Sequence, residues 1–405
     1  MKKIPALAVL AALLSPVPAL NAGQPAPALP PAVTVFAAGE NGYAGYRIPV
    51  VIRTANGDLL AFAEARRDGL GDAGDIDLVQ KRSTDGGLSW GAAQTVWDDA
   101  ANTCGNPCPV LDETTGVLWL LLTHNQGADR ERDIIAQTAA GTRTVWVARS
   151  DDHGKTWTAP VNITATTKDP AWGWYATGPG VGVQLKRGPR KGRLVIPCDH
   201  SETTADSTRR SASHAIYSDD HGKTWRLGAS IRPAANECQL AEIASPDGGL
   251  LMNMRRSRDK QYLMETPQAA QKLRGTATSA DGGETWSAII ADNNLPEPVC
   301  QAALIRHSWP RNGQPGLLLF SNPASKTARE KMTVRFSWDD GATWPRSLLL
   351  HAGFSAYSSL ASLSDNEAAC LYERGGDPKN RSEQYREIVF QRFPVPDAPA
   401  RQPGL

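Results

Sequence analysis

The chain has 405 residues, with 43 Lys and Arg against 42 Asp and Glu. That length exceeds one simple core unless the fold is an array of units. The near-zero net charge excludes broad electrostatic binding to nucleic acid or to an anionic membrane surface.

The first residues are "MKKIPALAVLAALLSPVPALNAG". Lys2 and Lys3 form a basic start, Ala6–Leu14 an apolar run, and Ala22 ends a small-residue cleavage site. This predicts a secretory signal over 1–22, removed to leave a periplasmic or secreted chain. A membrane anchor fits less well, because the run is short and Pro16 and Pro18 interrupt it. A short linker is expected over 23–31, one domain over 32–395 and a tail over 396–405.

After the linker, "AVTVFA" (Ala32–Ala37) reads as an isolated strand. Five copies of the pattern S-x-D-x-G-x-[ST]-W follow, at 83–90, 150–157, 218–225, 279–286 and 337–344; the second and third are both "SDDHGKTW". Each lies between two extended runs and so reads as a hairpin turn. Gly supplies a positive φ, the Asp and Ser side chains satisfy turn N–H groups, and the Trp packs on a neighbouring unit. Before each turn come two more apolar runs, such as "YRIPVVIR" with "DLLAFAEAR" and "GVGVQLK" with "RLVIPCDH". The expected fold is therefore all-β: a six-bladed β-propeller of four-stranded antiparallel blades. The sixth unit ends at its third strand, "REIVFQRF", so Ala32–Ala37 is expected to supply its fourth and close the ring. Of the six Cys, Cys104 and Cys108 in "CGNPC" could close a small loop. No His or Cys stands at zinc spacing beside them.

In antiparallel units the octapeptide turns fall at one edge. First-strand starts, second-strand ends and second-to-third loops fall at the other. That second edge collects Arg47, Glu237 and Tyr357, then Arg66, His200, Arg255 and Glu373, then Asp68, Asp72 and Arg329. Clustered ionisable groups in a concave site mark a functional candidate. Three arginines suit a substrate carboxylate, held by forked hydrogen bonds. A Tyr becomes a nucleophile only beside a base, and Glu237 is the natural one. Asp72 or Asp68, on one loop, could protonate a leaving group.

In this combination the chain resembles the bacterial exo-α-sialidases (neuraminidases) of the six-bladed propeller class, a glycoside hydrolase family 33-like group. "YRIP" (Tyr46–Pro49), the five Asp-box turns, "NECQLAEIASPDGGLLMNMR", "SKTAREKMTVRFSWDDG" and "SAYSSL" carry the resemblance, over residues 33–393. It implies that Arg47, Arg255 and Arg329 form a tri-arginyl clamp. Tyr357 would be the nucleophile, Glu237 its base, Asp72 the acid/base and Glu373 the holder of Arg47. Arg66 would line the same pocket, and Trp172 or Trp174, in "AWGWYATGPG", would cover the substrate; the choice here falls on Trp174. Asp68 fits the acid position less well, and Glu242, further into its strand, reads as structural. The implied activity is retaining hydrolysis of terminal sialic acids through a tyrosyl-enzyme intermediate, on sialylated oligosaccharides, glycoproteins or glycolipids. No cofactor, metal, nucleic-acid partner or stable membrane insertion is expected, and the chain is expected to be a monomer. A hydrolase or trans-glycosidase for a related nonulosonic acid, or a non-catalytic carbohydrate-binding propeller, are the alternatives.

Overall fold

The computed structural model describes residues 29–399 apart from 204–208, 246–247, 257–270, 378 and 381–382. The expected signal over 1–22, most of the linker and residues 400–405 of the tail lie outside the described residues. The fold is all-β. Among the described residues the helical elements are the short helices Glu131–Ile135 and Thr164–Thr167 and a 3-10 turn at Glu40–Gly42. No described helix is long and apolar enough to cross a membrane.

Strand order follows the chain. In the first unit Gly45–Arg53, Leu59–Arg66, Ile76–Ser83 and Gln94–Trp97 pair antiparallel in sequence. The other units repeat this meander, as in Ala235–Glu242, Leu250–Arg256, Leu273–Ser279 and Ile290–Pro296. Hydrogen bonding groups the strands into four sheets, not six, for two local reasons. A single parallel bridge, Ile76 to Thr103, joins the first two units. The strand Arg346–Ser364 runs unbroken from the outside of the fifth unit to the inside of the sixth: Arg346–Phe354 pairs with Glu330–Ser337, and Ser355–Ser364 with Glu367–Arg374. The N-terminal strand Val33–Ala37 pairs antiparallel with one edge of Glu387–Pro394, whose other edge pairs with Glu367–Arg374.

The second strand of each unit reads as an unbroken apolar run because both of its faces are covered. In Leu59–Arg66, Leu59, Ala61 and Ala63 pack with Val35, Phe36 and Phe390, while Leu60 and Phe62 pack with Leu118, Leu120 and Leu122. Alternate residues of one strand thus belong to two different cores, as the two-residue period of a strand requires. The same sharing recurs: Trp119 and Leu121 with Leu194 and Ile196, Val195 with Leu250 and Met252, Leu251 with Leu318 and Phe320, Leu319 with Ala368 and Cys370. Ala369 and Leu371 then return to the cluster of Leu59. Among the described residues six of the apolar clusters therefore link successive units and return to the first, and Gly45–Arg53 touches both Thr103–Leu111 and Arg346–Ser364.

The octapeptide turns are built alike. In the second, Ser150 Oγ donates to Asp152 Oδ1 at 2.7 Å and accepts from the Gly154 N–H at 2.7 Å. Asp152 also takes the N–H groups of Lys155 and Thr156 and the Thr156 hydroxyl. His153 and Gly154 both have positive φ, 62° and 79°. Gly154 lies against Leu60 of the preceding unit, and Gly222 lies likewise on Trp119. Trp157 meets Phe62 edge-on and donates to Gln80 Oε1 at 3.1 Å, again across the unit boundary. All six cysteines are buried free thiols, so no disulfide closes the Cys104–Cys108 loop.

Candidate active site

A cavity of about 430 Å³ opens at the end of the first strands away from the octapeptide turns. Five of those strands slip register just where they reach it: between Arg47 and Val50, Gly105 and Cys108, Trp172 and Tyr175, Ala235 and Cys238, and Ser355 and Ser358. Such bulges break the alternation of a strand and re-aim side chains. Arg47, Asn106, Trp174, Glu237 and Tyr357 all lie at a bulge and all line the cavity. Ile48 and Asn106 have positive φ, 58° and 50°, which places the local backbone cost at the site itself.

The expected residues converge, with two exceptions. Arg47 donates through Nε to Glu373 Oε1 at 2.7 Å, and its guanidinium stacks 4.2 Å from the Tyr385 ring. Glu373 also accepts the N–H groups of Ile48 (3.1 Å) and Tyr357 (3.0 Å), tying a clamp arginine to the backbone of the Tyr. Arg255 Nη1 donates to Glu237 Oε2 at 2.6 Å and to the Tyr357 oxygen at 3.1 Å. Arg329 Nη1 donates to the Tyr385 hydroxyl at 2.8 Å, with its guanidinium 5.6 Å from the Tyr357 ring. The Tyr357 hydroxyl itself donates to Glu237 Oε1. Burial first, and then the charge of Glu237, push the Tyr357 phenol well above its usual value, against the pull of Arg255 and Arg329. The resting group is therefore a neutral phenol already bonded to the Glu237 carboxylate.

Asp72 stands across the cavity. Its carboxylate is 2.8 Å from Arg66 Nη1 and 4.0 Å from Arg47 Nη1, and its side chain is 58% exposed. Burial pulls this carboxyl upward, but Arg66 and Arg47 outweigh it and hold the group below the usual aspartate value. Asp68 is exposed on the same loop and does not line the cavity, whereas Asp72 does. Trp172 is the second exception: it stacks face to face on His200, ring centroids 3.4 Å apart, and both are buried. Both tryptophans lie on the strand Trp172–Thr177, whose register slip between Trp172 and Tyr175 leaves Trp174 on the cavity. Lys168 anchors that wall through the Gly173 and Arg143 carbonyls at 2.8 and 2.7 Å, and burial pulls its ammonium down to about 8. Glu242 caps the backbone N–H groups of Lys186 and Arg187 beside a different cavity, and is structural.

Several residues of the site were not singled out from sequence. Asn106 sits between two cysteines, where only its neighbour Pro107 marks a turn. Asp199 lines the floor, donated to by Asn236 Nδ2 at 3.0 Å; burial first and Glu237 second raise its carboxyl well above the usual value. Tyr385 holds two clamp arginines from a loop of the sixth unit. Its signal was position alone, one residue before the last strand run.

The description "BNR repeat-like domain" fits residues 57–370. The chain is 33% identical to a sialidase of Micromonospora viridifaciens, over 90% of this chain and 56% of that one. It is 32% identical to a sialidase of Bacteroides fragilis, over 84% and 62% of the two chains. It therefore spans less than two thirds of the length of either bacterial relative. An exo-alpha-sialidase of Aspergillus fumigatus is 32% identical, with 87% of this chain and 84% of the relative covered. Among solved structures, the Hadza microbial sialidase Hz136 superposes with a TM-score of 0.74 at 30% identity, covering 90% of this chain and 68% of that one.

Proposed function

The chain belongs to the sialidase family, and on that ground we propose that it is an exo-α-sialidase built as a six-bladed β-propeller, acting on sialylated oligosaccharides, glycoproteins or glycolipids. The closed cycle of six apolar clusters supports the ring. The observation that carries the activity is the convergence of Arg47, Arg255 and Arg329 on a Tyr whose hydroxyl donates to a carboxylate.

A sialic acid bears a carboxylate on its anomeric carbon. Three guanidinium groups hold it in place, and a carboxylate nucleophile there would meet a like charge. A neutral phenol avoids that repulsion, and sialidases with a Tyr nucleophile are a recognised exception to the two-carboxylate scheme. In the first half-reaction Glu237 takes the Tyr357 proton as the phenolic oxygen bonds to the anomeric carbon. The glycosidic C–O bond breaks, and Asp72, protonated in the substrate complex, gives its proton to the departing oxygen. In the second half, Asp72 takes a proton from water, the water oxygen attacks the same carbon, and the Tyr357 oxygen leaves and recovers its proton from Glu237. Two inversions leave the configuration retained.

Protonation of Asp72 follows from the same electrostatics. The bound carboxylate offsets the charge of Arg47, one of the three cations, with Arg66 and Arg143, that depress the Asp72 carboxyl. The working test is proton NMR of product released from 3′- and 6′-sialyllactose. We expect the α-anomer of free sialic acid to appear first; an initial β-anomer would overturn the double displacement. Tyr357→Phe is expected to lose at least about 10³-fold in kcat, and near-full activity would remove Tyr357 from the nucleophile's role. We also propose export, on residues 1–22, checked by the N-terminus of the mature protein.

A further inference from the structure

Glu64 has no part in the steps above, yet two bonded chains meet at it. It lies two residues before Arg66 on the strand Leu59–Arg66, so both side chains point to the cavity side. Its Oε2 accepts Arg66 Nε at 3.2 Å and Nη2 at 2.6 Å. Its Oε1 accepts the Asn106 N–H at 2.8 Å, across the boundary to the second unit. The remaining nitrogen of Arg66, Nη1, donates to the Leu70 carbonyl at 2.6 Å and lies 2.8 Å from Asp72 Oδ1. On the other side, Asn106 Oδ1 accepts Arg143 Nη2 at 2.5 Å, and Arg143 stacks 4.0 Å from the Trp174 ring. One carboxylate thus links the loop of the acid to the aromatic wall. The facing backbone is shaped around it, because a Cβ on Gly105 would overlap the Glu64 carboxylate.

We propose that Glu64 is a positioning residue for the acid step: it fixes the Arg66 fork so that Arg66 presents Asp72 to the departing oxygen. This rests on the sialidase reading. An arginine side chain has rotamer freedom that only its partners remove, and proton transfer between heavy atoms falls off steeply with misplacement. The need for that proton depends on the leaving group. A sugar alkoxide cannot depart without it, whereas a nitrophenolate is stable enough to leave unaided. Misplacement of Asp72 therefore separates the two classes of glycoside, while a general loosening of the fold or of substrate binding lowers both alike.

The experiment compares kcat/KM of the wild-type chain, Glu64→Gln and Gly105→Ala on 3′-sialyllactose and on p-nitrophenyl α-sialoside. Glu64→Gln is expected to lose at least about tenfold more on the lactoside than on the aryl glycoside. Equal losses on both, or no loss on either, would overturn the proposal. Gly105→Ala keeps every charge and displaces the same carboxylate, so the same difference between the two glycosides is expected of it if Glu64→Gln does not fold. A wild-type chain that cleaves neither glycoside overturns the sialidase reading itself, which keeps the two failures apart.

Discussion

Glu373 is fully buried and accepts three hydrogen bonds, from Arg47 Nε and from the backbone of Ile48 and Tyr357. A buried charge that loses its partner is far more costly than a surface one. Glu373→Gln should lower stability by about 3–5 kcal/mol, seen as an earlier urea midpoint at unchanged slope. An unmoved midpoint would mean that the cavity hydrates Arg47 well enough to replace its partner. Glu237→Gln removes the charge that pairs with Arg255 and accepts the Tyr357 proton; it should cost about 10²–10⁴-fold in kcat, with a smaller midpoint shift than Glu373→Gln because Glu237 lines the cavity. At this scale most of the residues expected from sequence do line the cavity, because topology gathers strand ends and the loop of Asp72 at one edge. Sequence did not reveal the bulges. A register slip depends on pairing with the next strand, so nothing in "NECQ" or "SAYS" marks one. The choice between Trp172 and Trp174 turns on such a slip, and so does the place of Asn106.

At the scale of the turn, the octapeptide is a carboxylate wrapped by hydroxyl and backbone donors with a left-handed pair of residues behind it. Asp152→Ala removes acceptors for Lys155, Thr156 and Ser150 and should cost about 1–2 kcal/mol. Calorimetry should show the lower midpoint, with kcat/KM retained because the turn lies at the edge away from the cavity; lost activity at an unchanged midpoint would contradict that placement. Gly154→Ala should cost more, at least about 2 kcal/mol, since it strains a φ of 79° and collides with Leu60. The turns also predict a pH response. The Ser89 hydroxyl and backbone hold Asp85 below the usual aspartate value of 3.8, and the Thr156 hydroxyl does the same for Asp152. Groups depressed in the folded state stabilise it above their unfolded value and cease to as pH falls through the folded one. The thermal midpoint should therefore drop steeply below about pH 3.8 and less steeply in Asp85→Asn with Asp152→Asn; equal slopes would exclude these turns as the cause. Turn chemistry was legible because Ser, Asp, Gly and Trp act locally. The partner surfaces, Leu60 and Trp119, were not, because they belong to the unit before.

For the whole molecule, the count of strand runs and the spare strand at each end were enough to expect a closed array, and Val33–Ala37 does pair with Glu387–Pro394. What the pattern could not carry was how hydrogen bonds cross between units, since the bridge at Ile76 and the unbroken strand Arg346–Ser364 arise from local geometry. Removal of residues 1–37 should expose Ile388, Val389 and Phe390 on an open edge, with loss of soluble monomer on gel filtration. A truncated chain with an unchanged midpoint would show that the closing strand adds little. The pairing has a further consequence in time. Thr34 bonds to Glu387, 353 positions away, so Val33–Ala37 cannot pair until Glu387–Pro394 has been made. Until then Phe36 and the first turn lack Phe390, and the earlier units stand as an open stack with two sticky ends. Contacts this distant in sequence slow folding. Until Glu387–Pro394 has been made, a nascent chain of this kind is exposed to aggregation at those two edges.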